Sequence, residues 1–338
     1  MKPLVSVSAV VASLCIAGAA VALASCDGPR NDSVPVAQAT PASGAQSGAA
    51  AVATNRPTSS ASAPAFTPPP DSAIRDDEFG KEVRLGQAIF NGTSPDAAAF
   101  VGNSLRCANC HLDAGRLPDS APLWGAYVAY PAYRSKNAHV NTFAERIQGC
   151  FRYSMNGKAP PLGDKVLVAL ESYAFFLSKG APVGTTLAGR GYPTPAKPAL
   201  AMDFARGAVV FAKKCSLCHG PDGQGQSSHG AVVFPPLWGP QSFNWGAGMG
   251  SIKNAAGFIK ANMPLSQGNT LSDQEAWDVA AFMNSHERPQ DPRFQGSIDD
   301  TRKKYHDSPN DMYGRVVNGQ ILGKGTGPVT KAARGSTP

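Results

Sequence analysis

The chain has 338 residues, enough for two ordinary domains with length to spare. Only 16% of the residues are charged, and 35 glycines and 29 prolines mark loop-rich units with low-complexity stretches, which excludes a helical bundle or coiled coil. The formal charge of +7 comes without dense Lys/Arg clusters; this sets nucleic acid aside and leaves small anions as partners.

Residues 1–25 read as an export signal, with one lysine before an uncharged run that ends in small residues. Leu23-Ala24-Ser25-Cys26 has the form of a bacterial lipobox, in which Cys26 becomes the acylated first residue; ordinary cleavage after Ala24 is the alternative. Either reading exports the chain, and the expected location is the periplasm, anchored to a membrane by lipid on Cys26. Residues 26–72 are mostly Ala, Ser, Pro and Thr with little to bury. They cannot offset their ordering entropy and are expected to form a disordered tether.

From residue 73 a pattern begins that occurs twice. A helix-like segment at 76–92 precedes Cys107-Ala108-Asn109-Cys110-His111, and another at 164–180 closes the unit. A segment at 201–214, with Phe204, Ala208 and Phe211 predicted on one face, precedes Cys215-Ser216-Leu217-Cys218-His219, and 271–287 closes that unit. Pro122-Leu123-Trp124-Gly125 recurs as Pro236-Leu237-Trp238-Gly239. C-x-x-C-H reads as c-type haem attachment: two thiols spaced for the haem vinyl groups, then a histidine for the iron. Cys107, Cys110, Cys215 and Cys218 are thus the attachment residues for two covalently bound haem c groups, and His111 and His219 the first iron ligands. One copy alone could be chance or a redox dithiol; two on an exported chain are a strong signal against the alternative of disulfides or zinc. The fold class expected is mainly α, with two tandem cytochrome c-type domains (73–185 and 201–290), each wrapped around one haem and joined by a Gly/Pro-rich linker at 186–200. Residues 291–338 carry no haem motif and are expected to run over the surface or stay disordered. Trp124 and Trp238 are expected on haem edges, and His139, His229, His286 and His306 at the surface.

Each iron needs a second ligand or an open site. In the second unit the candidate is Met263, in FIKANMPL, with Met249 in WGAGMG as competitor. In the first unit, spacing to the closing segment nominates Met155. Yet one cysteine, Cys150, remains once Cys15 goes to the signal, Cys26 to the lipobox and four to the haems. A buried, inert thiol is the simpler reading. Its surroundings argue for reactivity: Arg134, Lys136, Arg146, Arg152 and Lys158 flank it against a single acid, Glu145. A helix over 143–154 would set Phe143, Ile147 and Phe151 on an apolar stripe and Arg146, Cys150 and Ser154 beside it. Nearby guanidinium favours the thiolate. Gly149 costs about 1 kcal/mol in a helix, a cost that makes sense if the backbone must approach a flat cofactor.

At RIQGCFRYSMNGK, with support from FNWGAGM and FIKANMPL, the chain resembles the dihaem, tetrathionate-forming thiosulfate dehydrogenases of bacteria over roughly residues 73–290. The resemblance implies oxidation of two thiosulfate ions to tetrathionate, with two electrons leaving through the two haems. The acceptor is then a soluble or membrane-associated redox partner, a cytochrome c or a high-potential iron protein. It implies His111 and Cys150 as ligands of the first iron and Cys150 as a catalytic residue that forms an adduct with substrate sulfur. Arg146 and Ser154 correspond to the family's basic residue and serine four positions either side of the cysteine. Where the family usually has a second arginine, this chain has Lys136, which keeps the charge but not the bidentate fork. Some members carry a lysine beside the second-haem methionine; here that neighbour is Asn262, which implies plain His219/Met263 ligation. The rivals are a non-catalytic dihaem electron carrier with Met155 as ligand, and a dihaem peroxidase.

Overall fold

The computed structural model describes residues 66–229 and 231–327. The export signal, Cys26 and most of the tether fall outside the described residues.

The first unit is built on two crossing helices. α1 (Glu78–Asn91) starts at Asp77, whose side chain accepts from the Gly80 N–H, and ends at Gly92 in the left-handed conformation. Both are ordinary helix punctuation. Short α2 (Leu112–Gly115) and α3 (Leu123–Tyr127) follow the haem motif. Next come a hairpin of β1 (Ala132–Arg134) and β2 (His139–Asn141), then α4 (Phe143–Gly149). A Thr142/Glu145 capping box starts α4. α5 (Lys165–Leu177) closes the unit with Val166, Leu167, Ala169, Leu170, Tyr173, Ala174, Phe176 and Leu177 buried. It crosses α1 at Gly86, where an added Cβ would lie 2.0 Å from the Ala169 carbonyl oxygen. Only glycine permits that approach.

The second unit repeats the device. α6 (Phe204–Lys214) precedes α7 (Ser216–His219), and β3 (Gln226–Ser228) pairs with β4 (Ala231–Phe234). α8 (Ile252–Asn262) and α9 (Asp273–Asn284) complete the unit. Here Gly207 of α6 meets α9, with a Cβ position 2.1 Å from the Asp278 carbonyl oxygen. The buried face of α6 is therefore Gly207 and Phe211; Phe204, expected on that face, is exposed because it opens the helix before the crossing.

The segment after α9 packs against the second unit. α10 (Ile298–Tyr305) and a small hairpin of β5 (Val316–Val317) and β6 (Gln320–Ile321) bring Thr301, Met312, Tyr313 and Leu322 into buried positions. His306, expected at the surface, is 3% exposed. Its Nδ1 lies 2.7 Å from Asp311 Oδ2 and its Nε2 2.9 Å from Asp291 Oδ2. A histidine can be buried this way because both ring nitrogens find acceptors. His286 is half-buried and stacked on Trp238, ring centroids 4.0 Å apart. Trp124 is wholly buried and donates from Nε1 to the Arg116 carbonyl.

Candidate active site

In both units the C-x-x-C-H histidine is prepared in the same way. His111 Nδ1 lies 2.7 Å from the Ala121 carbonyl and His219 Nδ1 2.9 Å from the Pro235 carbonyl. A carbonyl only accepts, so each Nδ1 carries the proton and each Nε2 keeps its lone pair for a metal. Burial pushes His111 down to about 4, which the Ala121 carbonyl opposes and the Arg146 charge reinforces; His219 is also lowered, chiefly by burial. Both imidazoles are neutral, as iron ligation requires.

Beside His219 is a mainly apolar cavity lined by Cys215, Cys218, Phe234, Leu237, Phe258 and Met283. Met249 and Met263 both line it, so the preferred thioether and its competitor share one space. Met263 is the residue just after α8, extended at its C-cap, and Asn262 beside it is buried, donating to Asp119 and Phe258 carbonyls. Thiols, a neutral imidazole, thioethers and apolar walls fit a haem. Ala108, Asn109 and Cys110 of the first motif, with Leu112 just after it, line the same cavity, so the first haem motif forms part of a wall of the second haem site.

Cys150 follows α4 directly and opens a turn of π-helix, Cys150–Ser154. The expected α-helix therefore stops at Gly149, and the wider turn shifts Ser154 off the α-helical stripe. Arg146, one turn earlier, donates from Nη1 to Cys150 Sγ at 2.9 Å. The Cys150 charge is the main reason the Arg146 guanidinium is held above its usual range. Cys107 and Cys110 are half-buried, and their thiols are pushed up to about 12 chiefly by desolvation, with Cys150 close enough to add to both shifts. Cys150 thus lies near the first haem-attachment pair. Met155 is buried beside Cys107 and Phe151. A Cβ on Gly149 would meet only Arg146 and Tyr153 at ordinary contact distances, so no protein atom demands glycine there.

Lys136 sits in the turn of the β1–β2 hairpin. Much of its side chain is exposed, but the ammonium turns inward, donating to the Gly246 carbonyl and lying 3.9 Å from the Tyr153 ring centroid. Desolvation pulls it down to about 7, with the Arg293 and Arg146 charges next in effect. Arg134 donates to the Tyr130 hydroxyl at 3.0 Å, while Arg152 and Lys158 are exposed. His139 is exposed, as expected. Ser154 is half-buried, its carbonyl accepting from Asn103.

Two residues near this site gave no signal in the sequence. Tyr192, from the linker, is held well above its usual range, chiefly by burial and then by Cys110, with Arg146 and Cys150 also acting on it. Arg293 stands 5.2 Å from the Tyr153 ring centroid and is paired with Asp291. Both come from segments whose composition reads as loop, and only the fold brings them here.

Two histidine-ready C-x-x-C-H sites sharing a wall, one with an arginine-paired thiol nearby, define a dihaem c-type cytochrome. Comparison with known proteins places it further. The cytochrome c domain of the SoxA/TsdA type matches residues 98–183, and cytochrome c matches residues 204–287. A thiosulfate dehydrogenase of Thiomonas intermedia is 63% identical over 258 residues, 76% of this chain and 82% of that protein. One from Stutzerimonas stutzeri is 53% identical over 262 residues, covering 77% and 85%. The solved thiosulfate dehydrogenase (TsdBA) of Marichromatium purpuratum, in its "as isolated" form, superposes with a TM-score of 0.75 at 53% identity, over 78% of this chain and 58% of that longer one. The chain belongs to the thiosulfate dehydrogenase family, and its two cytochrome c domains bind two covalent haem c groups.

Proposed function

We propose that the chain oxidises two thiosulfate ions to tetrathionate at Cys150. The observation that carries this reading is the Arg146–Cys150 contact at 2.9 Å, near the first haem-attachment pair. Arg146 favours the thiolate and, with Lys136, offers positive charge to a dianion. Ser154 and Arg134 are assigned supporting roles at the same site. His111 and Cys150 are assigned to the first iron, His219 and Met263 to the second.

The thiolate of Cys150 bonds the outer sulfur of the first thiosulfate. Cys–S⁻ plus S–SO₃²⁻ gives Cys–S–S–SO₃⁻ and two electrons. The two haems, when bound, supply one-electron acceptors for that pair. The outer sulfur of a second thiosulfate then attacks the adduct. The bond to Cys150 breaks, the central bond of tetrathionate forms, and the thiolate returns with charge balanced and no proton moved. Lys136 and Arg146 hold the two anions against their mutual repulsion.

Residues 73–185 form the active-site domain, 201–290 the electron-exit domain, and 186–200 the linker. Electrons pass from the second haem to a cytochrome c or high-potential iron protein. The N-terminal pattern supports export to the periplasm and a lipid anchor at Cys26. Among the described residues no helix is long and apolar enough to cross a membrane.

The test is Cys150→Gly in the full-length holoprotein. Haem content stays at two per chain and thiosulfate-dependent reduction of an acceptor falls on the order of a thousandfold or more. Undiminished turnover would reject the nucleophile.

A further inference from the structure

The π-helical turn that carries Cys150 ends in three carbonyls that point beyond the helix. Of its five carbonyls, Cys150 O accepts from the Met155 N–H at 2.9 Å and Phe151 O from the Gly157 N–H at 2.9 Å, both within the same stretch of chain. The carbonyls of Arg152, Tyr153 and Ser154 are the ordinary orphans of a helix C-terminus. All three are taken by asparagines that reach across or along the seam between the two units. Asn244 Nδ2 donates to Arg152 O at 2.9 Å and the Asn244 N–H to Tyr153 O at 3.2 Å. Asn103 Nδ2 donates to Ser154 O at 2.9 Å and to Ser242 O at 3.0 Å.

Asn244 is fully buried, and both its amide donors and its amide oxygen are engaged there. Its second Nδ2 bond goes to Asn156 Oδ1 at 3.0 Å, and its Oδ1 accepts from the Gly246 N–H at 3.1 Å. Only an amide placed this way round satisfies donors and acceptors together, so the network fixes its orientation. The Asn244 segment is itself held by the chain after α9: the Trp245 N–H donates to Pro289 O at 3.1 Å.

We propose that Asn244, with Asn103 as its partner, is the positioning residue for Cys150: the second haem domain holds the π turn of the first in the shape that aims the thiol. A π turn is rare and survives where surrounding contacts over-determine it. Without these three donors the turn would relax toward α-helical register. Residues 152–154 would then rotate relative to Cys150, and Cys150 would shift against Arg146 and His111. The two units are in this sense one active site, and the contribution of the second goes beyond electron exit.

This inference rests on the reading of Cys150 as iron ligand and nucleophile, and the experiment separates the two. Asn244→Ala and Asn103→Ala are prepared singly as full-length dihaem proteins beside Cys150→Gly. The readouts are the thiolate-type low-spin EPR signal and reduction potential of the first haem, with the second haem's Met–iron charge-transfer band as internal control. Expected for Asn244→Ala is a shifted or broadened first-haem signal and a kcat about 10- to 100-fold lower, with the second haem unchanged; Asn103→Ala shifts the same signal less. A merely structural role would lower thermal stability and leave that signal in place. A folded Asn244→Ala protein with wild-type first-haem signal and kcat overturns the proposal. If Asn244→Ala does not fold, Asn103→Ala decides, and a wild-type signal there overturns it equally. Turnover lost in Cys150→Gly but intact in both asparagine variants sinks this inference alone; turnover retained in Cys150→Gly sinks the reading beneath it.

Discussion

Lys136 holds its charge where charge is costly. Its ammonium is desolvated on the Tyr153 ring and crowded by Arg293 and Arg146, which brings it down to about 7 from its ordinary value. A lysine lowered in this way is protonated below about 7 and neutral above, so anion affinity is greatest on the acid side. The KM for thiosulfate should rise as pH increases through about 7 while kcat changes little, since the lysine holds substrate and does not react. Lys136→Arg restores a cation that stays protonated and should flatten the profile, whereas Lys136→Gln should raise KM about 10- to 100-fold, the equivalent of one charge-assisted hydrogen bond. Steady-state kinetics at pH 6 and pH 9 for the three proteins check this; a flat wild-type profile would remove Lys136 from anion binding. The basic character of 134–158 was readable from composition, as was the isolation of Cys150. What the sequence could not reveal was which cations turn inward, because that depends on Gly246 and Arg293, more than a hundred residues away.

Among the elements, the chain after α9 shows best how burial changes chemistry. Burial alone would lower His306, but its hydrogen bonds to Asp291 and Asp311 outweigh that and hold it above its usual range. A histidine raised on folding contributes stability that is fully present below its unfolded value, near 6.5. That contribution is lost as pH rises through the raised folded value. Melting temperature should therefore fall as pH rises above about 6.5 in the wild type, and the fall should be smaller in His306→Gln. His306→Ala, which leaves the buried Asp291 and the half-buried Asp311 short of a partner, should cost about 3–5 kcal/mol. Thermal denaturation across pH measures both, and identical pH profiles for wild type and glutamine variant would refute the linkage. Four of the five longer helices of the two units were legible because each haem motif is bracketed by helix-period segments; α8, as long as α6, was not. The packed tail was not: Arg302, Lys303 and Lys304 give α10 a solvated look, and the burial of Thr301, Tyr313 and His306 depends on contacts with the second unit. The π turn was equally hidden, since its carbonyls are satisfied by Asn103 and Asn244 from outside the segment.

At the scale of the whole molecule, two copies of one plan have diverged in a single respect. Both units cross their first and last helices at a glycine and hold a neutral histidine by a backbone carbonyl. In one, an arginine-paired thiol lies near the haem-attachment pair; in the other, methionines line the cavity. The shared wall at Ala108 to Leu112 shortens the path between sites, which suits a reaction that releases two electrons at one of them. The net charge of +7 should speed the approach of thiosulfate, so kcat/KM should fall as ionic strength rises from about 0.01 to 0.15 M, where the screening length drops from about 30 to 8 Å. Insensitivity to salt would limit the attraction to Arg146 and Lys136. The central claim is that Cys150 is at once a ligand of the first iron and the group that takes up substrate sulfur. The most direct measurement is EPR of the oxidised dihaem protein beside Cys150→Gly. The account predicts one thiolate-type low-spin signal in the wild type, absent from the variant, with the methionine-type signal common to both. Two methionine-type signals in the wild type, unaltered by the substitution, would contradict it.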